Sequence, residues 1–154
     1  MPEITNTIEI AAEPDRVYRT ARDVESFPVF MPDVESVRVL ERSDDGRRLV
    51  TDWVGLLPEF RLKVRWAEED LWDDDTRTCR FTQVRGDFKS YSGTWQFRPS
   101  HQGTVFESVV RYEIEIPLVG PLIQGVIKKK MRENVGRLQE ALKRHVEEGR
   151  GPVQ

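Results

Sequence analysis

Few residues in this sequence have the types and spacing that carry chemistry. His101 stands in a Pro-Ser-His-Gln-Gly turn and His145 near the end of the chain, and neither has Cys, Asp or Glu at metal-ligand spacing. The single cysteine, Cys79, shares a strand face with Phe81, which predicts a small buried side chain rather than a nucleophile. Motifs for a serine nucleophile, a phosphate loop or a dinucleotide are absent. We therefore expect no metal and no cofactor, and assign no catalytic residue.

Large aromatic side chains are the remaining feature, and they recur at alternate positions of predicted strands. Any one of them fits an ordinary core, but together on a curved sheet they predict an apolar pocket for a small molecule. The predicted ligand-binding residues are Trp53, Phe60, Trp66, Phe81, Tyr91, Trp95, Phe106, Ser108, Tyr112, Leu122, Val126 and Ile127. Orienting hydrogen bonds would come from the hydroxyls of Thr51, Tyr91, Ser108 and Tyr112.

A long helix from about Gly120 to Glu148 must face these rings. Its apolar residues recur every three or four positions and form one stripe. The members of the stripe are Ile123, Ile127, Met131, Val135, Leu138, Leu142 and Val146. We expect Leu118 to Ile127 to wall the pocket, with Gly125 allowing close approach of a ligand, and the stripe from Met131 onward to be core. The segments Gly55–Pro58 and Phe27–Met31 are candidate lips of the opening.

The rest of the chain alternates as antiparallel strands do. Predicted strands cover Thr5–Ile10, Val34–Leu40, Arg48–Val54, Phe60–Trp66, Thr78–Val84, Ser90–Phe97 and Val105–Ile116. Short helices are predicted at Pro14–Asp23 and Ser26–Met31. The predicted fold class is α+β: a curved antiparallel sheet of about seven strands wrapped around the long C-terminal helix, with two short helices after the first strand.

Length and composition agree with one soluble domain. The chain has 154 residues, of which 38% are hydrophobic and 33% charged, and no apolar run is long enough for a membrane span. One cysteine excludes an internal disulfide, and the N-terminus does not resemble a signal peptide, so we expect a cytoplasmic protein.

Charge is distributed unevenly along the sequence. The chain carries a net charge of −3, yet from Gly120 to Arg150 eight basic residues outnumber four glutamates, which leaves about −7 elsewhere. A solvated helix face complementing an acidic body explains this pattern. The alternative is a weak contact of the Lys128–Lys130 region with ribosomal RNA or an anionic membrane; no DNA partner is expected.

This order of elements resembles the START-like (SRPBCC, helix-grip) superfamily, and most closely its bacterial polyketide cyclase/dehydrase and coenzyme Q-binding group. The similar stretches are Pro14–Tyr18, Asp23, Phe27-Pro28-x-Phe30-x-Pro32-x-Val34, Val64–Trp66, Tyr91–Trp95 with Phe97, and Pro117-x-Val119-Gly120-Pro121-Leu122. The resemblance implies one START-like domain over residues 1–148, with 149–154 a flexible tail. It implies the fold and not one function, because family members include lipid carriers, quinone chaperones, aromatase/cyclases and ribosome-association toxins.

Three functions follow from these observations as hypotheses. The first is binding or transport of a lipid, quinone or polyketide-like molecule between sheet and helix. The second is a polyketide aromatase/cyclase or dehydratase, with Tyr91, Tyr112, Ser108 or, less favourably placed, Arg65 as acid or base. The third is a ribosome-associated, toxin-like interaction protein that docks through its basic helix.

Overall fold

The structure, a computed structural model, describes residues 2–58, 61–114 and 121–149, and the side chains of all of these except 121–123. The strands are β1 (Glu3–Ile10), β2 (Val34–Arg42), β3 (Arg48–Leu57), β4 (Leu62–Asp73), β5 (Thr78–Gly86), β6 (Ser90–Ser100) and β7 (Gly103–Glu113). The helices are α1 (Pro14–Arg22), a short 3-10 turn (Val24–Ser26), α2 (Phe27–Phe30) and α3 (Pro121–Glu147).

All seven strands join one antiparallel sheet in the order β1-β7-β6-β5-β4-β3-β2. Neighbours in sequence pair as hairpins from β2 to β7, and β1 closes onto β7. The predicted α+β architecture, with its curved sheet, long terminal helix and short helices after the first strand, is confirmed. The largest difference lies in β4, which continues to Asp73, seven residues beyond the predicted end at Trp66.

The concave face of the sheet and α3 share the core. Of the predicted helix stripe, Ile127, Met131, Leu142 and Val146 are buried, and Val135 and Leu138 pack against the core while partly exposed. The predicted stripe residue Ile123 has no described side chain. Phe27 of α2 and Val17 of α1 close the same core from the side. The sheet thus packs against the helix along its length, because the wide apolar face of α3 must be buried.

One buried polar side chain fixes α3 to the first strand. Gln139 is fully buried; its Oε1 accepts a hydrogen bond from Asn6 Nδ2 at 2.5 Å, and its Nε2 donates to the Asn6 carbonyl at 3.1 Å. A longer bond of 3.4 Å reaches the Phe106 carbonyl of β7. Buried polar groups are stable only when paired, so this amide sets the position of the helix along the sheet.

Replacing Gln139 with leucine should lower the free energy of unfolding by about 1–3 kcal/mol, because the buried groups of Asn6 lose their partner. Urea denaturation monitored by circular dichroism measures the change. The control is Gln124→Leu, an exposed glutamine on the same helix, which should change stability by less than about 0.5 kcal/mol. Equal effects of the two substitutions would show that the buried amide does not anchor the helix.

Candidate ligand-binding cavity

A cavity of about 120 Å³ lies between the sheet and α3. Strands β3 to β6 supply its sheet wall, and one stretch of α3 covers it. Its sheet-side lining includes Trp53, Val64, Trp66, Glu68, Asp70, Trp72, Cys79, Phe81, Tyr91 and Trp95, and its helix lining is Met131, Asn134, Val135, Arg137 and Leu138. Apart from the two acids, the sheet side of this wall is mainly aromatic and aliphatic.

Strand alternation places the rings inward. Successive residues of a strand point to opposite faces, so Val64, Trp66, Glu68, Asp70 and Trp72 of β4 all face the helix. The intervening Arg65 and Leu71 are exposed on the outer face. β4 therefore brings two tryptophans and two carboxyl groups to a single wall.

The rings support one another in a connected cluster. Trp53 and Trp66 stack in parallel across β3 and β4, with centroids 5.7 Å apart and planes 9° apart. Phe88 stacks on Tyr91 at 4.6 Å, and Tyr91 lies 5.3 Å from Trp66. Trp95 meets Phe81 edge-on at 6.0 Å. Aromatic pairs in these geometries contribute more stability than the burial of their surface area alone. We therefore expect the rings of this wall to keep well-defined positions.

A buried acid pair interrupts this apolar wall. Glu68 and Asp70 are 5% and 2% exposed, and both face the cavity from alternate positions of β4. The Trp66 indole Nε1 donates to Glu68 Oε1 at 2.7 Å, and the Thr51 hydroxyl donates to Asp70 Oδ2 at 2.6 Å. Trp53 Nε1 in turn donates to the Thr51 hydroxyl at 2.8 Å. Each carboxyl group is thus held by a hydrogen bond from a side chain of β3 or β4.

Burial makes ionisation of this pair costly. It raises the pKa of Glu68 well above its usual 4.5, and the neighbouring Asp70 charge raises it further. Burial also raises the pKa of Asp70, although hydrogen bonds from Glu68 and Thr51 oppose that effect. Neither carboxyl forms an ion pair with a described residue. The two groups therefore hold one proton between them more readily than exposed acids would.

Two further polar groups of the wall have no partner among the described residues. Trp72 is 3% exposed, and its indole Nε1 makes no hydrogen bond. The hydroxyl of Tyr91 likewise makes none within the described ranges, and burial raises the pKa of Tyr91. Buried donors are nearly always paired in folded proteins, so an unpaired indole N–H in a cavity wall marks a position where a ligand atom fits.

The rim of the cavity is polar and links the helix to the sheet. Arg137 Nε donates to Asp33 Oδ2 at 2.5 Å, and the guanidinium also donates to Asn134 Oδ1. Asn134 Nδ2 donates to the Leu56 carbonyl at 2.9 Å. Arg137 and Pro32, the residue before Asp33, line the cavity and are exposed, so this side of the cavity is in contact with solvent.

The residues predicted to bind a ligand fall into four groups. The lining includes Trp53, Trp66, Phe81, Tyr91 and Trp95. Phe106, Ser108, Tyr112 and Ile127 are buried in the core but are absent from the lining, and Val126 is 42% exposed. Phe60 and the side chain of Leu122 lie outside the described residues. Ser108 is buried away from the cavity lining, and its hydroxyl has no hydrogen-bond partner among the described residues.

Other predicted positions differ in where they lie. The described helix residues that line the cavity begin at Met131, whereas the expected wall was Leu118–Ile127, of which 118–120 are outside the described residues. Gly125 is exposed, and no described residue outside its own stretch of helix comes within 4 Å of the place where a side-chain carbon would stand, so close ligand approach there has no support. The expected lips contribute Met31, Gly55, Leu56 and Leu57 to the lining. Cys79 is buried in the wall, as predicted, and burial raises the pKa of its thiol.

Glu68, Asp70 and Trp72 line the cavity but were not among the residues predicted from the sequence. The alternation that marks Val64 and Trp66 as inward continues unbroken to Trp72, and extending it predicts the inward position of both acids. The run Glu68–Glu69–Asp70 obscured this pattern, since three consecutive acids are typical of a solvated turn.

A curved antiparallel sheet around a long terminal helix, with an aromatic cavity between them, defines a START-like protein of the helix-grip class. Residues 10–143 match the family model described as polyketide cyclase / dehydrase and lipid transport, and the chain belongs to this family. None of the helices in the described ranges is long and apolar enough to cross a membrane.

Solved structures of several relatives share the fold. A Thermus thermophilus protein is 38% identical, with a TM-score of 0.89 over 96% of this chain and 99% of its own. A START superfamily protein from Mycobacterium smegmatis is 20% identical, with a TM-score of 0.80 over 95% and 97% of the two chains. The Zhui aromatase/cyclase of a Streptomyces species is 17% identical, with a TM-score of 0.73 over 94% and 95%.

A further relative is a toxin by name. The ribosome association toxin RatA of Escherichia coli is 21% identical over 143 residues, which cover 92% of this chain and 84% of RatA. In the present structure Lys128 and Lys129 are exposed, and Lys130 is half-buried with its Nζ 3.3 Å from Glu133 Oε2. Contact of this region with RNA or an anionic membrane stays a prediction.

Proposed function

We propose that the protein binds a hydrophobic, ring-containing small molecule in the cavity between the sheet and α3. The observation that carries this proposal is the apolar cavity of about 120 Å³ walled by five of the predicted aromatic residues. An engineered apolar cavity of about 150 Å³ in another protein holds benzene, so this volume suits about one ring. Larger ligands fit with one ring enclosed and the remainder extending past the rim at Leu56 and Arg137.

Family membership supports the same proposal, because the family description includes lipid transport as well as polyketide cyclisation. The scarcity of polar surface in the aromatic wall favours a ligand that is mostly hydrocarbon. Binding of such a ligand buries apolar surface on both partners, which supplies the driving force.

Filling the cavity should weaken ligand binding. Val135 of α3 is part of the lining, so Val135→Phe places a ring in the space that the ligand would occupy. Isothermal titration calorimetry with toluene should show at least about tenfold weaker binding than wild type, equivalent to about 1.4 kcal/mol. The matched control is Val126→Phe, at an exposed position of the same helix, where affinity should be unchanged.

Two results would contradict the proposal. Wild-type affinity in Val135→Phe, with the variant folded by circular dichroism, would place the ligand elsewhere. Absence of toluene binding by the wild-type protein, together with absence of any small molecule by native mass spectrometry after purification from cells, would show that the cavity is only a packing defect.

A second candidate function is an aromatase/cyclase or dehydratase, and the acid pair favours it. A carboxyl group with a raised pKa can donate a proton near neutral pH, which is the role of a general acid. The pKa of Glu68 is raised, and Glu68 lines the cavity. Of the groups first considered as acid or base, only Tyr91 also lines the cavity. Turnover of a poly-β-keto chain that survives Glu68→Gln unchanged would exclude Glu68 as the acid.

A further inference from the structure

The polar groups of the cavity wall are few and their hydrogen-bonding capacities differ. Glu68 and Asp70 bring four carboxyl oxygens to the wall, of which Glu68 Oε1 and Asp70 Oδ2 already accept hydrogen bonds from Trp66 and Thr51. Trp72, two residues beyond Asp70 and on the same face of β4, holds an indole N–H with no acceptor among the described residues. A ligand atom that satisfies both must donate one hydrogen bond and accept another.

A hydroxyl group donates and accepts through a single oxygen atom, whereas an ether, a ketone or an ammonium group has only one of the two capacities. An ether or a ketone accepts a hydrogen bond but cannot donate to the acid pair, and an ammonium group donates but cannot accept from the indole. The surrounding rings of Trp53, Trp66, Phe81 and Trp95 favour a flat apolar body behind that hydroxyl.

We propose that the Glu68–Asp70 pair and the Trp72 indole form a subsite for a ring-bound hydroxyl group, such as a phenol. The hydroxyl donates to the carboxylate of the acid pair and accepts from Trp72 Nε1. This inference rests on the proposed function, since it places the polar end of the same ligand that the aromatic cavity holds.

The Trp72 ring is held in place for this role. Tyr18 meets it edge-on at 5.7 Å, Trp95 lies at 6.3 Å, and the Arg22 guanidinium carbon lies 5.7 Å from the ring centroid. Arg22 is itself fixed by Asp74 at 2.8 Å, and Tyr18 donates to the same carboxylate oxygen at 2.7 Å. The indole N–H is therefore preorganised, which reduces the entropy lost when a ligand binds.

The test compares ligands that differ only at the polar position. Calorimetric titration of the wild-type protein should show phenol binding at least about tenfold more tightly than toluene, since hydrogen bonds to charged groups are the strong ones. Anisole, which accepts but cannot donate, should bind more weakly than phenol.

Two substitutions assign the subsite to its residues. Trp72→Phe keeps a ring and removes the N–H, and Asp70→Asn removes the charged acceptor while keeping its size. Each should reduce the ratio of phenol affinity to toluene affinity by about threefold or more, while toluene binding shows that the cavity is still formed. Because the readout is a ratio within one variant, a general loss of stability does not imitate the expected result.

Each contrary result has a defined meaning. If toluene binds and phenol binds no more tightly, the hydroxyl subsite is wrong and the proposed function stands. If neither binds, the proposed function fails as well. If benzylamine at neutral pH binds more tightly than phenol, the acid pair recognises a cation and the inference is overturned. If the ratio is unchanged in Trp72→Phe, the indole takes no part.

Discussion

Replacing Glu68 with glutamine should raise the free energy of unfolding at neutral pH, and the gain over wild type should grow as the pH rises. The physical reason is burial: Glu68 is 5% exposed, lies beside Asp70 and has no described cationic partner. Glutamine has nearly the same shape, keeps a donor toward Asp70, and carries no ionisable group. It therefore removes the cost of keeping a carboxyl group buried and retains the hydrogen bonds.

The sign follows from the direction of the pKa shift. At low pH Glu68 is protonated in the folded and the unfolded chain alike, so it has no effect on the pH dependence of stability there. Above its ordinary pKa of 4.5 the unfolded chain ionises and is stabilised, while the folded chain keeps its proton. Wild type therefore loses stability relative to Glu68→Gln as the pH rises, by at most about 1.4 kcal/mol per pH unit, until the raised pKa is passed.

Urea denaturation of both proteins between about pH 4 and pH 8 measures this difference. Glu69→Gln is the matched control: Glu69 is the next residue of the same strand, and its Oε2 accepts from Arg48 Nε at 2.7 Å on the outer face. Removing that partly exposed pair should change stability by no more than about 1 kcal/mol. A stability difference between Glu68→Gln and wild type that stays flat over this pH range would contradict the proposed burial cost.

Replacing Gly93 with alanine should lower the free energy of unfolding by about 3 kcal/mol or more, because the added carbon overlaps its neighbours. A side-chain carbon at this position of β6 would collide with the Val109 carbonyl oxygen and would lie 2.6 Å from Phe81 Cζ. The first of these contacts is with the backbone of the paired strand β7, which cannot move without breaking its ladder. The Phe81 ring would be displaced toward the cavity, so overpacking reaches the wall as well.

The control for Gly93→Ala is another glycine-to-alanine change in the same chain. Gly125 lies inside α3, and in the described part of the chain no atom beyond its chain neighbours and the nearby helix backbone lies within 4 Å of the added carbon, so Gly125→Ala should stabilise the protein by about 0.5–1 kcal/mol through helix propensity. Thermal unfolding of the two variants should therefore shift in opposite directions. A Gly93→Ala protein with wild-type stability would mean that the contact between Gly93 and Phe81 is looser than described.

The period-two and helical patterns were enough to predict the sheet and its inward face. Leu49, Thr51 and Trp53 of β3 share a buried face, as alternation requires, and the long helix follows its apolar stripe. Such patterns depend only on the local geometry of a helix or strand. They can therefore be recognised in the sequence before the elements packed against them are known.

Two aspects of the site depend on long-range packing and were not predictable in this way. The stripe on α3 fixes which side of the helix is buried but not which turn stands over the cavity, because that depends on anchors such as Gln139 with Asn6. Glu68 and Asp70 were missed for a different reason, since carboxyl groups are almost never fully buried without a partner. Their partners, Thr51 and Trp66, become evident only when β3 and β4 are aligned.

The distribution of tryptophan has an optical consequence. The chain contains four tryptophans, and all of them, Trp53, Trp66, Trp72 and Trp95, stand in the wall of the cavity. Light absorbed at the red edge of the protein's ultraviolet band is thus emitted entirely by residues around one small volume. The emission spectrum and lifetime report on the contents of that volume with no background from elsewhere in the chain, so the unmodified protein is its own fluorescent sensor.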